Sequence, residues 1–198
     1  MKEILLEMES YAKEKNVPII EKESIAFIMK YIKSNEIKNV LEIGSAIGYS
    51  GILMASSTPD VMVTTIERDN ARYMECLKNV KKCGLEKKIN VVFQDALEVN
   101  LSEDIEYDLI FIDAAKAQYT RFFEKFKHFL APNGVIISDN LKFHGLVENK
   151  ETITSRNVKG LVRKLEDYVT FLKENEEFTT DFYDIGDGIS VSRRNESN

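Results

Sequence analysis

The stretch FIDAAK, residues 111–116, sets an aspartate at the end of an apolar run and a lysine three residues further on. Asp113 closes the run Leu109, Ile110, Phe111, Ile112, and Lys116 falls about one helical turn beyond it. A carboxylate so placed is a hard ligand for a cation, and the amine is a candidate general base. A second run, GVIISDN (134–140), ends on Asp139 and Asn140. If the two runs are neighbouring strands, about 4.8 Å apart, Asp113, Asp139 and Asn140 share one rim. Two carboxylates and an amide oxygen suit Mg²⁺, with waters and substrate completing its shell. Without a cation, clustered acids raise one another's pKa and cost stability. A cation and a low-dielectric pocket both favour the neutral amine, which makes Lys116 usable as a base near neutral pH. The plainer reading of the same residues is two solvated strand ends beside a solvated lysine.

A second set of residues could hold a nucleotide-like ligand. In EIGSAIGYS (42–50), Gly44 and Gly48 permit a tight turn and close approach of backbone to ligand. The helix that starts near Tyr49 and Ser50 offers free N–H groups to an anion. Ala46 stands where a dinucleotide fingerprint would need its middle glycine, so the motif alone is weak. Glu67 ends the next apolar run, where a carboxylate accepts the two hydroxyls of a ribose. Either a nicotinamide cofactor or S-adenosylmethionine fits this pair.

The elements that must position these groups alternate. Strands are expected at 39–45, 61–67, 89–95, 107–113 and 134–140, all rich in Val and Ile and nearly continuously apolar. Helices are expected over Tyr49–Ser57, over Asp69–Cys83 with Asp69 and Gly84 as caps, and over Gln118–Leu130, where Pro132 and an Asn133-Gly134 turn end it. That pattern is an α/β open sheet, in which ligands bind beyond the carboxyl ends of the strands. Residues 1–35 read as two helices meeting at Val17-Pro18, a cap on a core over 36–194. Residues 155–175 read as a long helix, and the chain then forms an antiparallel hairpin joined at Gly186-Asp187-Gly188. One domain is expected at 198 residues.

Composition excludes several classes. No apolar run approaches the roughly 20 residues of a membrane span, and the start MKEILLEMESYAKEK lacks a signal-peptide core, so a cytoplasmic protein is expected. Cys76 and Cys83 sit seven residues apart on one helix, too far along its axis (about 10 Å) to bridge. His128 and His144 have no partner at soft-metal spacing. The net charge of −6 argues against nucleic acid on average, although averages conceal local distribution.

Together EIGSAIGYS, TIERD, QDAL, FIDAAK, SDN and the terminal IGDGISV resemble the cation-dependent O-methyltransferases, the catechol and caffeoyl-coenzyme A family. The resemblance runs from about Pro18 to Arg193. It implies a Rossmann-like class I methyltransferase fold: a seven-stranded, mostly parallel sheet of order 3-2-1-4-5-7-6, strand seven antiparallel, helices on both faces. It implies S-adenosylmethionine and Mg²⁺ as cofactors and a homodimer. Ser50 would hold the methionine carboxylate and Gly44 would line the methionine moiety. Glu67 would hold the ribose, Asp95 and Ala96 would border the adenine, and Ile20 would close over the cofactor, which Asp113 would also touch. Asp113, Asp139 and Asn140 would bind the metal, and Lys116 would deprotonate the acceptor hydroxyl.

Small members of the family resemble the tRNA 5-hydroxyuridine methyltransferases, which make 5-methoxyuridine at the wobble position. That base carries vicinal oxygens, as a catechol does. Phosphate contacts would need cations near the rim. Lys142 and Lys150 follow the metal set, and Arg156, Lys159 and Arg163 share one helix face, with Lys164 beside them. The lysines at 81, 82, 87 and 88, with Arg193 and Arg194, should fall at the opposite edge from the site. A solvated helix face explains the 156–164 cluster equally well. Plant relatives commonly carry a tryptophan about where Phe143 stands, and this chain has none. A small catechol-like acceptor, a nicotinamide oxidoreductase and a non-catalytic S-adenosylmethionine-binding module stand as the alternatives.

Overall fold

A computed structural model describes residues 1–142 and 153–195. Helices α1 (Lys2–Lys15) and α2 (Lys22–Ser34) precede the sheet, and the chain breaks between them where Asn16 turns left-handed, just before Val17-Pro18. Strands β1 (Asn39–Ile43), β2 (Met62–Glu67), β3 (Ile89–Phe93), β4 (Tyr107–Ile112) and β5 (Leu130–Ser138) alternate with helices α3 (Tyr49–Ala55), α4 (Asn70–Lys82) and α5 (Tyr119–Phe126). Helix α6 (Arg156–Lys173) then leads to β6 (Phe178–Tyr183) and β7 (Ile189–Arg194). The sheet runs β3-β2-β1-β4-β5-β7-β6, the order expected from the resemblance. Strands β1 to β5 are parallel, and β7 pairs antiparallel with both β5 and β6.

The continuous apolar runs are explained by helices on both faces. Val40, Leu109, Phe111, Val135 and Ile137 pack with Ile28 and Ile32 of α2 and Ile52 of α3. Their alternates Leu41, Ile110, Ile112 and Ile136 pack against Phe122, Phe123 and Phe126 of α5 and Leu165 and Tyr168 of α6. Successive residues of a strand face opposite sides, so a strand buried on both can carry almost no polar residue. Helix α4 starts as expected, with the Asp69 carboxylate accepting from the Arg72 N–H at 2.9 Å. Gly84 takes the left-handed conformation just past its end. Among the described residues no helix is long and apolar enough to cross a membrane.

Several expected boundaries are corrected. Strand pairing stops at Phe93, Ile112 and Ser138, so Asp95, Asp113, Asp139 and Asn140 lie in the loops just beyond. The helix expected over Gln118–Leu130 is α5, flanked by single 3₁₀ turns at Lys116–Gln118 and Lys127–Phe129. Leu130 already pairs with Tyr107 in the sheet, and Asn133-Gly134 is an irregularity within β5, not a turn before it. Gly134 has no room for a side chain: a Cβ would lie 2.8 Å from Leu130 Cδ1 and 2.9 Å from the Tyr107 carbonyl oxygen. The hairpin connection spans residues 184–188, longer than the expected Gly-Asp-Gly turn.

Candidate active site

A cleft of about 430 Å³ opens beyond the carboxyl ends of the central strands. Its cofactor-side wall holds Ile20, Gly44, Ser50, Glu67, Asp95 and Ala96. Its other wall holds Asp113, Lys116 and Asn140. Every expected site residue therefore meets at one cleft except Asp139, which is 1% exposed and lies behind the wall.

On the cofactor side, backbone groups fix the acid. Glu67 Oε2 accepts from the Ala46 N–H at 2.9 Å, and Oε1 accepts from the N–H groups of Arg68 and Asp69 at 2.9 and 2.8 Å. Ala46, the donor, adopts a positive φ of 44°, which an L residue seldom takes. Gly44, at φ 99°, lets β1 end against Asp113, whose carbonyl oxygen a Cβ would strike. Asp95 accepts from the Leu97 N–H at 2.9 Å and pairs with Arg68 at 3.0 Å. The Leu97 hydrogen bond, with Arg68, holds its carboxyl below the usual range despite some desolvation.

Ser50 is more deeply engaged than the resemblance implies. Its hydroxyl donates to Glu42 Oε1, while Thr65 Oγ1 donates to Glu42 Oε2 at 2.6 Å. A cofactor carboxylate would then meet the Ser50 backbone N–H in the first turn of α3, its hydroxyl proton being committed. Glu42 is wholly buried in mid-strand, and burial pushes it up to about 7 although both hydroxyls oppose this.

On the opposite wall, side chains fix the acids. Asn140 sits at φ 63° and donates its amide to Asp113 Oδ1 at 2.9 Å. Burial pushes the Asp113 carboxyl up, while Lys116 and Asn140 pull it back. Asp139 is pushed up to about 7, first by burial and then by the Asp113 charge, with Asn140, Ser24 and Lys116 opposing. Its Oδ1 accepts from Ser24 Oγ at 3.1 Å, and its carbonyl oxygen accepts from the Tyr119 hydroxyl at 3.1 Å. Among the described residues no group of three or more acids, histidines and cysteines could hold a metal, so the two acids alone do not make a complete ligand set. Two mutually repelling, desolvated acids beside an amide oxygen fit a hard divalent ion.

The positive charges expected to meet phosphate are divided. Arg156, Lys159 and Arg163 are exposed on α6, which packs against the 3₁₀ turn that carries Lys116. Lys142 instead reaches Asp184 at 2.5 Å. Phe143 and Lys150 lie outside the described residues. Ser24, Glu42 and Tyr119 were not among the expected site residues. Glu42 carried a signal, an acid inside an apolar run, whereas Ser24 and Tyr119 carried none.

A sequence profile of the O-methyltransferase family matches residues 1–195. Tapetum-specific methyltransferase 1 of Arabidopsis thaliana is 31% identical over 186 residues, spanning 91% of this chain and 78% of that protein. The caffeoyl-CoA O-methyltransferase of Populus kitakamiensis is 29% identical over 186 residues, spanning 90% of this chain and 78% of that one. A crystal structure from Staphylococcus aureus, provisionally named a caffeoyl-CoA O-methyltransferase, superposes with a TM-score of 0.90 at 37% identity, covering 96% of this chain and 92% of that one. The Bacillus cereus O-methyltransferase, solved with SAH, shares the fold at 21% identity, with a TM-score of 0.81 over 98% of this chain and 91% of that one. The nicotinamide alternative falls with the family match. Sheet order, cleft and similarity over residues 1–195 agree: the chain belongs to the O-methyltransferase family and is an S-adenosylmethionine-dependent O-methyltransferase.

Proposed function

We propose that the protein transfers a methyl group, with Mg²⁺, to a hydroxyl that has a vicinal oxygen, and that the acceptor is 5-hydroxyuridine at the tRNA wobble position, giving 5-methoxyuridine. The observation that carries the reaction is the meeting of Asp113, Asn140 and Lys116 in the same cleft as Glu67, with Asp139 behind them. Asp113, Asp139 and Asn140 would hold the cation, which supplies Lewis acidity to the acceptor oxygens.

The chain's own residues then have separate tasks. Glu67, its orientation set by three N–H groups, has about one acceptor site left, on Oε2, for a ribose hydroxyl of the donor. Pro18 and Ile20 wall the cleft and exclude water from the donor. Lys116 takes the proton of the acceptor hydroxyl as the oxygen–methyl bond forms and the sulfur–methyl bond breaks. The sulfonium becomes a neutral thioether, so no acid is required for the leaving group. Holding oxygen, carbon and sulfur in line makes the displacement effectively unimolecular.

Helix α6, which packs against the turn of Lys116 and carries an exposed basic face, favours an RNA acceptor. The plant relatives favour a small catechol-like acceptor as the second reading. Transfer from labelled S-adenosylmethionine to tRNA containing 5-hydroxyuridine, with Mg²⁺ and with chelator, decides between them. Transfer that chelator and Lys116→Ala both abolish is the expected result. Transfer to a simple catechol but not to tRNA would keep the reaction and overturn the RNA acceptor.

A further inference from the structure

Three segments remote in sequence converge behind the metal-side wall. Helix α2 brings Ser24, the loop after β5 brings Asp139, and the turn between β6 and β7 brings Gly186. Ser24 is completely buried, and its hydroxyl donates to Asp139 Oδ1 across 115 positions of sequence. Gly186 turns at a positive φ of 51°, and a Cβ there would collide with Ser24 Oγ. The turn leaves room for a hydroxyl at this point and for little more. Asp139 also receives the Tyr119 hydroxyl on its carbonyl.

A carboxylate that binds a cation needs one oxygen turned to the ion, and a donor on the other oxygen sets that rotation. Asp113 is oriented in this way by Asn140, a neighbour in the same rim. Asp139 is oriented from outside the rim, by the N-terminal cap. Resting on the metal-dependent reading above, we propose that Ser24 is a positioning residue for Asp139, so that α2 is a structural part of the cation site. The segment that leads into α2 also supplies Ile20 to the cofactor wall, so one short piece of the cap serves both halves of the cleft.

The test uses Mn²⁺ as the probe, with free ion followed by electron paramagnetic resonance on the full chain. In Ser24→Ala the affinity for Mn²⁺ should fall about 10- to 100-fold, the usual effect of losing such a partner. S-adenosylhomocysteine affinity measured with chelator should stay within about twofold, because the Glu67 wall keeps all its contacts. Ser24→Gly also removes the donor and adds no bulk against Gly186, so it should lose Mn²⁺ affinity as well, which shows that no new contact causes the loss. Unchanged Mn²⁺ affinity in both variants would overturn the role of Ser24 while leaving the metal reading intact. An equal loss of metal and cofactor affinity would also overturn it, since Ser24 would then merely hold the cap in place. Native protein that binds no Mn²⁺ would overturn the metal reading itself, and this inference with it.

Discussion

The two walls of the cleft hold their acids by different means. Glu67 is fixed by backbone N–H groups one, two and 21 positions away. Asp139 is fixed by side-chain hydroxyls 20 and 115 positions away. Any residue except proline can supply a backbone N–H provided the loop keeps its shape, whereas a hydroxyl is supplied only by a particular side chain. The donor wall is thus robust to side-chain substitution and sensitive to loop geometry. The wall of Asp113, Asp139 and Asn140 is the reverse, and it is complete only after the cap and the C-terminal hairpin have docked.

The sharpest division between the walls comes from Lys116→Ala. It should slow methyl transfer by about 10²- to 10⁴-fold while leaving S-adenosylhomocysteine affinity nearly unchanged, checked by single-turnover rates and calorimetry. Parallel losses in both would mean that the walls are not separable. Gly44→Ala attacks their junction, since its Cβ would strike the Asp113 carbonyl at an already unfavourable φ of 99°. A loss of about 2–4 kcal/mol in urea unfolding, with weaker binding on both sides, is expected. Glu67→Gln should weaken the donor about 10- to 100-fold, since its amide NH₂ would face backbone N–H groups, and should leave Mn²⁺ binding intact.

The smallest effect concerns Glu42, beneath the donor wall. Burial raises its carboxyl from 4.5 to about 7, so the folded chain holds this proton more tightly than the unfolded one. Stability is therefore lost as pH rises through that window. Relative to Glu42→Gln, the native protein should lose about 1–2 kcal/mol between about pH 5 and about pH 8. Urea midpoints of both proteins at the two pH values would show it, and a difference independent of pH would refute the assignment.

What sequence could foretell follows the same division. The strands were legible because helices cover both faces, forcing runs such as Leu109–Ile112 to be wholly apolar. The rim acids were legible because they interrupt those runs. Helix α5 was overextended because Phe129 and Leu130 are apolar in either state, and the pairing of Leu130 with Tyr107 is a tertiary contact that periodicity does not contain. Ser24 was invisible for a related reason. A serine near the start of a helix reads as a local feature, and its partner is set by the docking of α2 on the sheet. The engagement of Ser50 with Glu42 needed the register of α3 over β1, which motif matching passes over.

The position of β7 between β5 and β6 has a consequence for how the protein is made. Strand β5, which leads into Asp139, is an interior strand only once residues 189–194 have paired with it. During synthesis from the N-terminus, β5 emerges long before β7 and for that interval presents an unpaired edge of Val135, Ile136 and Ile137. Such an edge invites pairing with another chain. A nascent or truncated chain lacking β7 is thus exposed to aggregation at the strand that leads into Asp139, and a late folding step finishes both the sheet and the cleft.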